Sequence, residues 1–352
     1  MTKKPLIRVE GLAKRFPEPR GKGMLTVFEN LWFSVDPGEF VCIIGHSGCG
    51  KSTILNILAG LDRPTEGVVI VGEQALDGPS LDRAVIFQSH ALMPWLSAER
   101  NIELGVASRH RDWSAARVKE HARRYLSLVH LEGAEAKKPA QLSGGMRQRV
   151  GIARALAVEP KILLMDEPFS ALDALTRGSL QDEVLSIRRA TDQTIFMITH
   201  DIDEAMLLAD KIVLMTNGPR ARIAEIVENT LPADRQRTEM HRHPNYYPLR
   251  NHLLEFLVTR SRELAGGVGA EKANYRSPPI VRPVAGETRA NGPTDAPTTL
   301  VSQSTRSRPD PRRSRPAFPR LVARGDGRTA VLEGSGPPRR NRPFTETQPR
   351  GR

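Results

Sequence analysis

The nine residues Gly45-His46-Ser47-Gly48-Cys49-Gly50-Lys51-Ser52-Thr53 limit what this chain can fold into more than any other stretch. They match G-x-x-x-x-G-K-[ST], and the text around them supplies the context this motif requires. An apolar run suited to a buried strand, Phe40–Ile44, comes before them. A helical segment, Ser52–Leu61, follows, with Ile54, Leu55, Ile57, Leu58 and Leu61 on one apolar side. Glycines at these positions let backbone N–H groups close around phosphate oxygens, where a side chain would block approach. The helix that follows adds the partial positive charge of its N-terminus. All nine residues are therefore candidate nucleotide ligands, with Lys51 aimed at the β- and γ-phosphates and the Ser52 hydroxyl at Mg²⁺. Cys49 has two readings: a thiol activated by the helix end, or a small residue tolerated in the loop.

The rest of residues 1–258 agrees with a strand–loop–helix unit of this kind. Short apolar runs suited to strands occur at Val68–Val71, Val85–Phe87, Ile162–Met165, Ile195–Thr199 and Ile212–Met215, alternating with segments of helical period. This alternation predicts an α/β fold with a mainly parallel sheet. Leu180, Val184 and Ile187 mark one helix. Residues 115–131 predict another, with Val118, Ala122, Tyr125, Leu126 and Val129 inward and Arg117, Lys119, Glu120, Arg123 and Arg124 outward. No strand signal occurs between about 90 and 142, so a helical insertion over about 90–150 is expected.

Charge divides the chain. The 352 residues carry a formal net charge of +12, which would ordinarily point to nucleic acid or an anionic surface. Residues 266–352 alone carry +10, and residues 1–265 only +2. Pro and Gly make up 23 of those last 87 residues, a share typical of low-complexity sequence that cannot bury enough apolar surface to order itself. The reading is an ordered part over 1–258 and an Arg-, Pro- and Gly-rich disordered tail over 259–352. The tail could bind nucleic acid or anionic lipid, be solvated without a role, or represent an out-of-frame reading of GC-rich DNA. No apolar run approaches the roughly 20 residues of a membrane span, and the basic N-terminus lacks the apolar segment of a secretory signal. Cys42 and Cys49 form no disulfide or metal pattern, so a reducing cytoplasm is expected.

Further motifs separate the many families that bind nucleotides. Leu142-Ser143-Gly144-Gly145-Met146-Arg147-Gln148-Arg149 resembles the signature motif of the ATP-binding cassette (ABC) family. Ile162-Leu163-Leu164-Met165-Asp166-Glu167-Pro168 is similar to its Walker B strand, Ser170-Ala171-Leu172-Asp173 to its D-loop, His200 to its switch histidine and Gln88 to its Q-loop glutamine. Phe16 stands where the family stacks an aromatic on adenine. It could equally be a core residue of the N-terminal sheet. The resemblance covers about residues 5–258. It implies a P-loop NTPase fold of the ABC type, with an N-terminal antiparallel β subdomain and a helical signature subdomain. It also implies hydrolysis of ATP with Mg²⁺. Asp166, with Ser52 and Gln88, would hold the metal, Glu167 would act as general base, and His200 and Gln88 would orient water. Ser143, Gly144, Gly145 and Asp173 would meet the nucleotide of a second, head-to-tail cassette, identical or paralogous.

The segment Leu92-Met93-Pro94-Trp95-Leu96 is similar to importers of nitrate, sulfonate, taurine and related small anions, and residues 215–219 and 243–252 look most like nitrate-transport subunits. That resemblance implies a peripheral subunit on the cytoplasmic face of the inner membrane. Separate permease subunits and, indirectly, a periplasmic solute-binding protein would be its partners. Nitrate, with nitrite or cyanate, is the expected cargo, and sulfonate, taurine or bicarbonate the alternatives. Leu92, Met93, Trp95 and Leu96 could wall a groove for the permease or pack the helical insertion on the core. A soluble cassette acting on nucleic acid through the tail is the competing class. It is disfavoured because the chain holds one cassette and shows neither a long coiled coil nor a zinc pattern.

Overall fold

A computed structural model describes residues 4–18, 21, 23–89, 91–170, 172–261 and 276–286. Its centre is a seven-stranded sheet. Strands β3 (Phe40–Ile44), β7 (Ile162–Asp166) and β8 (Thr194–Ile198) lie side by side and parallel, with β6 (Arg83–Ile86) beyond β7 and β9 (Lys211–Met215) beyond β3. All five residues of β3 and of β8 are buried, which is why they read as unbroken apolar runs rather than alternating ones. Each strand nevertheless serves two cores. Val41 and Ile43 face one apolar cluster with α1 (Lys51–Ala59), and Cys42 and Ile44 face another with the remaining helices. Phe196 of β8 stacks on Phe33 at 5.8 Å and ties the first cluster to a smaller sheet.

That smaller sheet is antiparallel, in the order β2 (Met24–Val35), β1 (Ile7–Pro17), β4 (Glu66–Val71), β5 (Gln74–Ala75). It is the N-terminal β subdomain that the resemblance implied. The insertion is helical as expected: α2 (Ala98–Arg109), α3 (Ala115–Leu128) and α4 (Gly144–Ala157) pack together. Val118, Ala122, Leu126 and Val129 are buried there, and Tyr125 is half-buried. Predicted ends move by a residue or two. Helix α1 stops at Ala59 rather than Leu61 because Gly60 takes a left-handed φ of 78° and bonds back to Asn56 and Ile57. Helices α5 (Ala174–Thr191) and α6 (Ile202–Leu208) cover the second face. No helix among the described residues is long and apolar enough to cross a membrane.

The far edge of the main sheet differs from expectation. Strand β10 (Ile223–Glu228) runs antiparallel to β9, and α7 (Tyr246–Glu255) passes into a π-helical turn, Phe256–Arg260. The expected end of order at residue 258 is corrected by this turn and by β11 (Ile280–Val281), which pairs parallel with β10 through Ile226 and Val227. Arg282 pairs with Glu228, and the Thr230 hydroxyl donates to the Pro283 carbonyl at 2.7 Å. The remainder of the expected tail, 287–352, lies outside the described residues. Ending the chain at Ala265 removes β11 and these two contacts. Exposed pairs of this kind contribute about 1 kcal/mol in all, so the thermal midpoint should fall by about 2–4 °C, measured by calorimetry against the full chain.

Candidate functional site

Parallel sheets place their strand ends along one edge, and loops at the C-terminal ends form the crevice. Here the loop 45–53 leaves β3, Asp166 and Glu167 end β7, His200 follows β8 and Gln88 follows β6. Because β3, β8, β7 and β6 are consecutive neighbours, four distant segments of sequence meet there.

Local conformation shapes the loop. Gly50 has φ 97°, and a Cβ there would lie 2.6 Å from the Phe28 ring and 2.7 Å from Val27. Gly48 has φ 82° and open space where a side chain would stand. Gly45 is buried, His46 half-buried and Ser47 exposed. Helix α1 starts with no side-chain cap and no acidic residue in its first turn, which suits its N–H groups to an anion. The Lys51 ammonium curls into the loop and donates to the carbonyls of Gly45 at 2.7 Å and His46 at 3.1 Å. Ser52 and Thr53 continue the first turn of α1, and the Ser52 hydroxyl stands near enough to the Asp166 carboxyl to favour its ionised form. Burial pushes the Asp166 carboxyl above its ordinary value, against the opposing pull of Ser52 and Lys51. Cys49 is 0% exposed, and burial pushes its thiol up. It is therefore the small packed residue, not the activated thiol.

Glu167 is the centre of the polar group. Its backbone is left-handed, φ 46°, a conformation that non-glycine residues adopt at a cost and that clusters at functional sites. The Glu167 N–H is fixed to the Ile198 carbonyl at 3.0 Å, and Ser170 donates twice to the Glu167 carbonyl. The carboxylate accepts the Gln88 amide at 3.3 Å on one oxygen and stands 3.3 Å from His200 Nδ1 on the other.

Sequence reasoning missed the support beneath His200. The Thr199 hydroxyl donates to the buried Glu204 carboxylate at 2.6 Å and accepts the Asp201 N–H at 3.0 Å. Gln181 donates to the other Glu204 oxygen at 2.8 Å, and Asp201 caps α6 through the N–H groups of Asp203 and Glu204. Asp201 followed by Asp203 and Glu204 is a readable helix start, but nothing in the sequence ties Gln181 to it.

The other expected residues stand elsewhere. Ser143 caps α4, its hydroxyl accepting the Met146 N–H at 3.2 Å, and Gly144 and Gly145 form the first turn. A Cβ on Gly145 would lie 3.2 Å from Leu172, so α4 starts close against the segment leading into α5. Asp173 caps α5, accepting the N–H groups of Leu175 and Thr176, and these bonds hold its carboxyl below the usual range. In this chain its carboxylate serves that helix. Phe16 lies on β1 with its side chain at the surface, 40% exposed, with the Lys14 ammonium 4.9 Å from the ring. That excludes the core reading. The donor set of Ser52, Asp166 and Gln88 is all oxygen, which fits Mg²⁺ with few protein ligands. Among the described residues, no cluster of His, Cys, Asp and Glu suits a metal held by protein alone.

Comparisons with known proteins identify the family. The profile of the ABC transporter family matches residues 28–170. The bicarbonate transport ATP-binding protein CmpD of Synechocystis sp. is 48% identical over 254 residues, covering 72% of this chain and 89% of that protein. The nitrate transport protein NasD of Klebsiella oxytoca is 46% identical over 263 residues, covering 74% of this chain and 100% of that protein. The nitrate import ATP-binding protein NrtD of Synechococcus elongatus is 47% identical over 249 residues, covering 71% and 90%. A dimeric post-hydrolysis state of the ATP-binding cassette MJ0796, bound to ADP and Pi, matches with a TM-score of 0.56 and 33% identity, over 62% of this chain and 98% of that one. The chain belongs to the ABC transporter family and is one of its ATP-binding cassettes.

Proposed function

We propose that this chain hydrolyses ATP to drive import of a small anion, nitrate or its close analogues nitrite and cyanate, through separate membrane subunits. The observation that carries the catalytic part is the meeting of Gln88, Glu167 and His200 beside Lys51, Ser52 and Asp166. The relatives that transport nitrate support the cargo. Bicarbonate is the second reading, because CmpD matches equally well.

In this reading Lys51 and the loop N–H groups bind the β- and γ-phosphates, and Phe16 offers its exposed ring to the adenine. Ser52, Asp166 and Gln88 would hold Mg²⁺, and the ion would supply neutralisation of the phosphate charge. Glu167 takes the proton of the attacking water, and His200 and Gln88 orient that water. A second cassette brings its Ser143, Gly144 and Gly145 to the same nucleotide, with Asp173 holding the adjoining helix start in place. Trp95 is the residue of the 92–96 segment best suited to the permease. It is 66% exposed beside a cleft of about 590 Å³, whereas Leu92 packs on the core. Such a subunit works peripherally, at the cytoplasmic face of the membrane.

The cargo is tested by reconstituting the chain with its permease and binding protein in vesicles and following labelled nitrate against labelled bicarbonate. Nitrate uptake that depends on ATP supports the reading, and uptake of bicarbonate alone replaces it. Glu167→Gln should keep MgATP binding but lose about 10²–10⁴-fold in turnover, the usual contribution of a general base, and should accumulate as an ATP-bound dimer in gel filtration. Lys51→Ala should weaken MgATP binding by about tenfold or more, read by equilibrium titration, since a charge-assisted hydrogen bond contributes about 1.5–3 kcal/mol.

A further inference from the structure

His46 does more than occupy a place in the phosphate loop. Its Nε2 lies 2.8 Å from the Leu257 carbonyl, 211 residues away. A carbonyl only accepts, so Nε2 carries the proton in this bond. The same residue's backbone carbonyl accepts the Lys51 ammonium. His46 thus joins the lysine of the loop on one side to the π turn on the other.

The π turn makes that bond available. In an α-helical turn the Leu257 carbonyl would take the Ser261 N–H. Here the Ser261 N–H bonds to Phe256 instead, and the Leu257 carbonyl accepts the Ser261 hydroxyl at 3.1 Å and His46. Single π turns of this kind recur at functional sites. The turn is also well anchored. Arg260 donates to both oxygens of Glu225, at 3.2 and 3.3 Å, and His252 meets the same carboxylate at 2.6 Å. Glu225 has 3% of its side chain exposed, and Phe256 and Ser261 are fully buried. A second support lies alongside. The Asn217 N–H donates to the Ser261 carbonyl, and a Cβ on Gly218 would lie 2.9 Å from the Gly48 carbonyl.

We propose that the π turn Phe256–Arg260 is a positioning element of the nucleotide site. It acts through the Leu257 carbonyl and His46 to hold the phosphate loop in its binding shape. The inference rests on the reading of residues 45–53 as the nucleotide loop. His46 is a positioning residue here, because its imidazole faces the protein.

The test is equilibrium binding of MgATP to full-length variants, with thermal midpoints checking the fold. His46→Ala should weaken binding about tenfold, the scale of one lost hydrogen bond. The loss should fall on KM for ATP more than on kcat. His46→Gln keeps an N–H donor and should recover to within about threefold of the parent. Arg260→Met loosens the anchor without touching the loop and should weaken binding about threefold. Combined with His46→Ala it should add nothing further, as expected for residues in one chain of contacts. Binding by His46→Ala within twofold of the parent overturns the inference. So does a His46→Gln variant as weak as the alanine variant, or full additivity with Arg260→Met. If His46→Ala does not fold, unchanged binding by Arg260→Met alone overturns it. Lys51→Ala separates the two layers: unchanged binding there removes the nucleotide loop itself, whereas lost binding there with normal His46→Ala removes only the π-turn role.

Discussion

The adjacency of four parallel strands, in the order β3, β8, β7, β6, is the constraint on which the site depends. Every polar group of the site sits at the C-terminal end of one of these strands or just beyond it, at the same edge. The strands are held by apolar burial on both faces, so their ends are fixed by the bulk of the domain and not by the polar groups themselves. This separation of duties matters because Asp166, Glu167 and Lys51 bring opposed charges close together. Such a set is costly to assemble from a flexible backbone, and the sheet assembles it in advance.

The sequence marked β3, β7, β8 and β9 as strands, because short unbroken apolar runs have few other uses. It also placed Asp166 and Glu167 at a strand end and the loop at another. It could not show that Gln88 and His200 flank one carboxylate, because that follows from strand order and not from spacing. The sheet edge was harder still. Strand β10 escapes a hydrophobic reading because its centre carries Glu225, a buried acid. Burial alone would raise that carboxyl, and only His252 and Arg260, 27 and 35 residues further on, bring it below its ordinary value. A buried strand glutamate whose partners lie on a helix and turn far along the chain looks, in one dimension, like a surface residue. Strand β11 is two residues long between prolines, too short to carry any period.

The division of charge keeps its meaning in three dimensions. The residues proposed to handle phosphate are few: Lys51, the first N–H groups of α1, and the glycines that would let them approach. No broad basic surface is needed, because helix ends and backbone dipoles act at contact distance. A net charge of +2 over residues 1–265 is therefore compatible with tight binding of a highly charged anion.

Glu167 combines two features that pull in different directions. Its backbone is tightly fixed, by the left-handed φ, the Ile198 carbonyl and the two bonds from Ser170. Its carboxylate, by contrast, meets exposed side chains on different loops through two contacts of 3.3 Å, a long hydrogen bond from Gln88 and an approach by His200 Nδ1. In the proposed role of general base, Glu167 must be placed accurately and yet give up its resting partners when water arrives. Strong bonds to Gln88 and His200 would place it but would compete with the water. Weak bonds with a rigid backbone satisfy both needs, since the Cα fixes where the carboxylate can reach and the long contacts cost little to exchange.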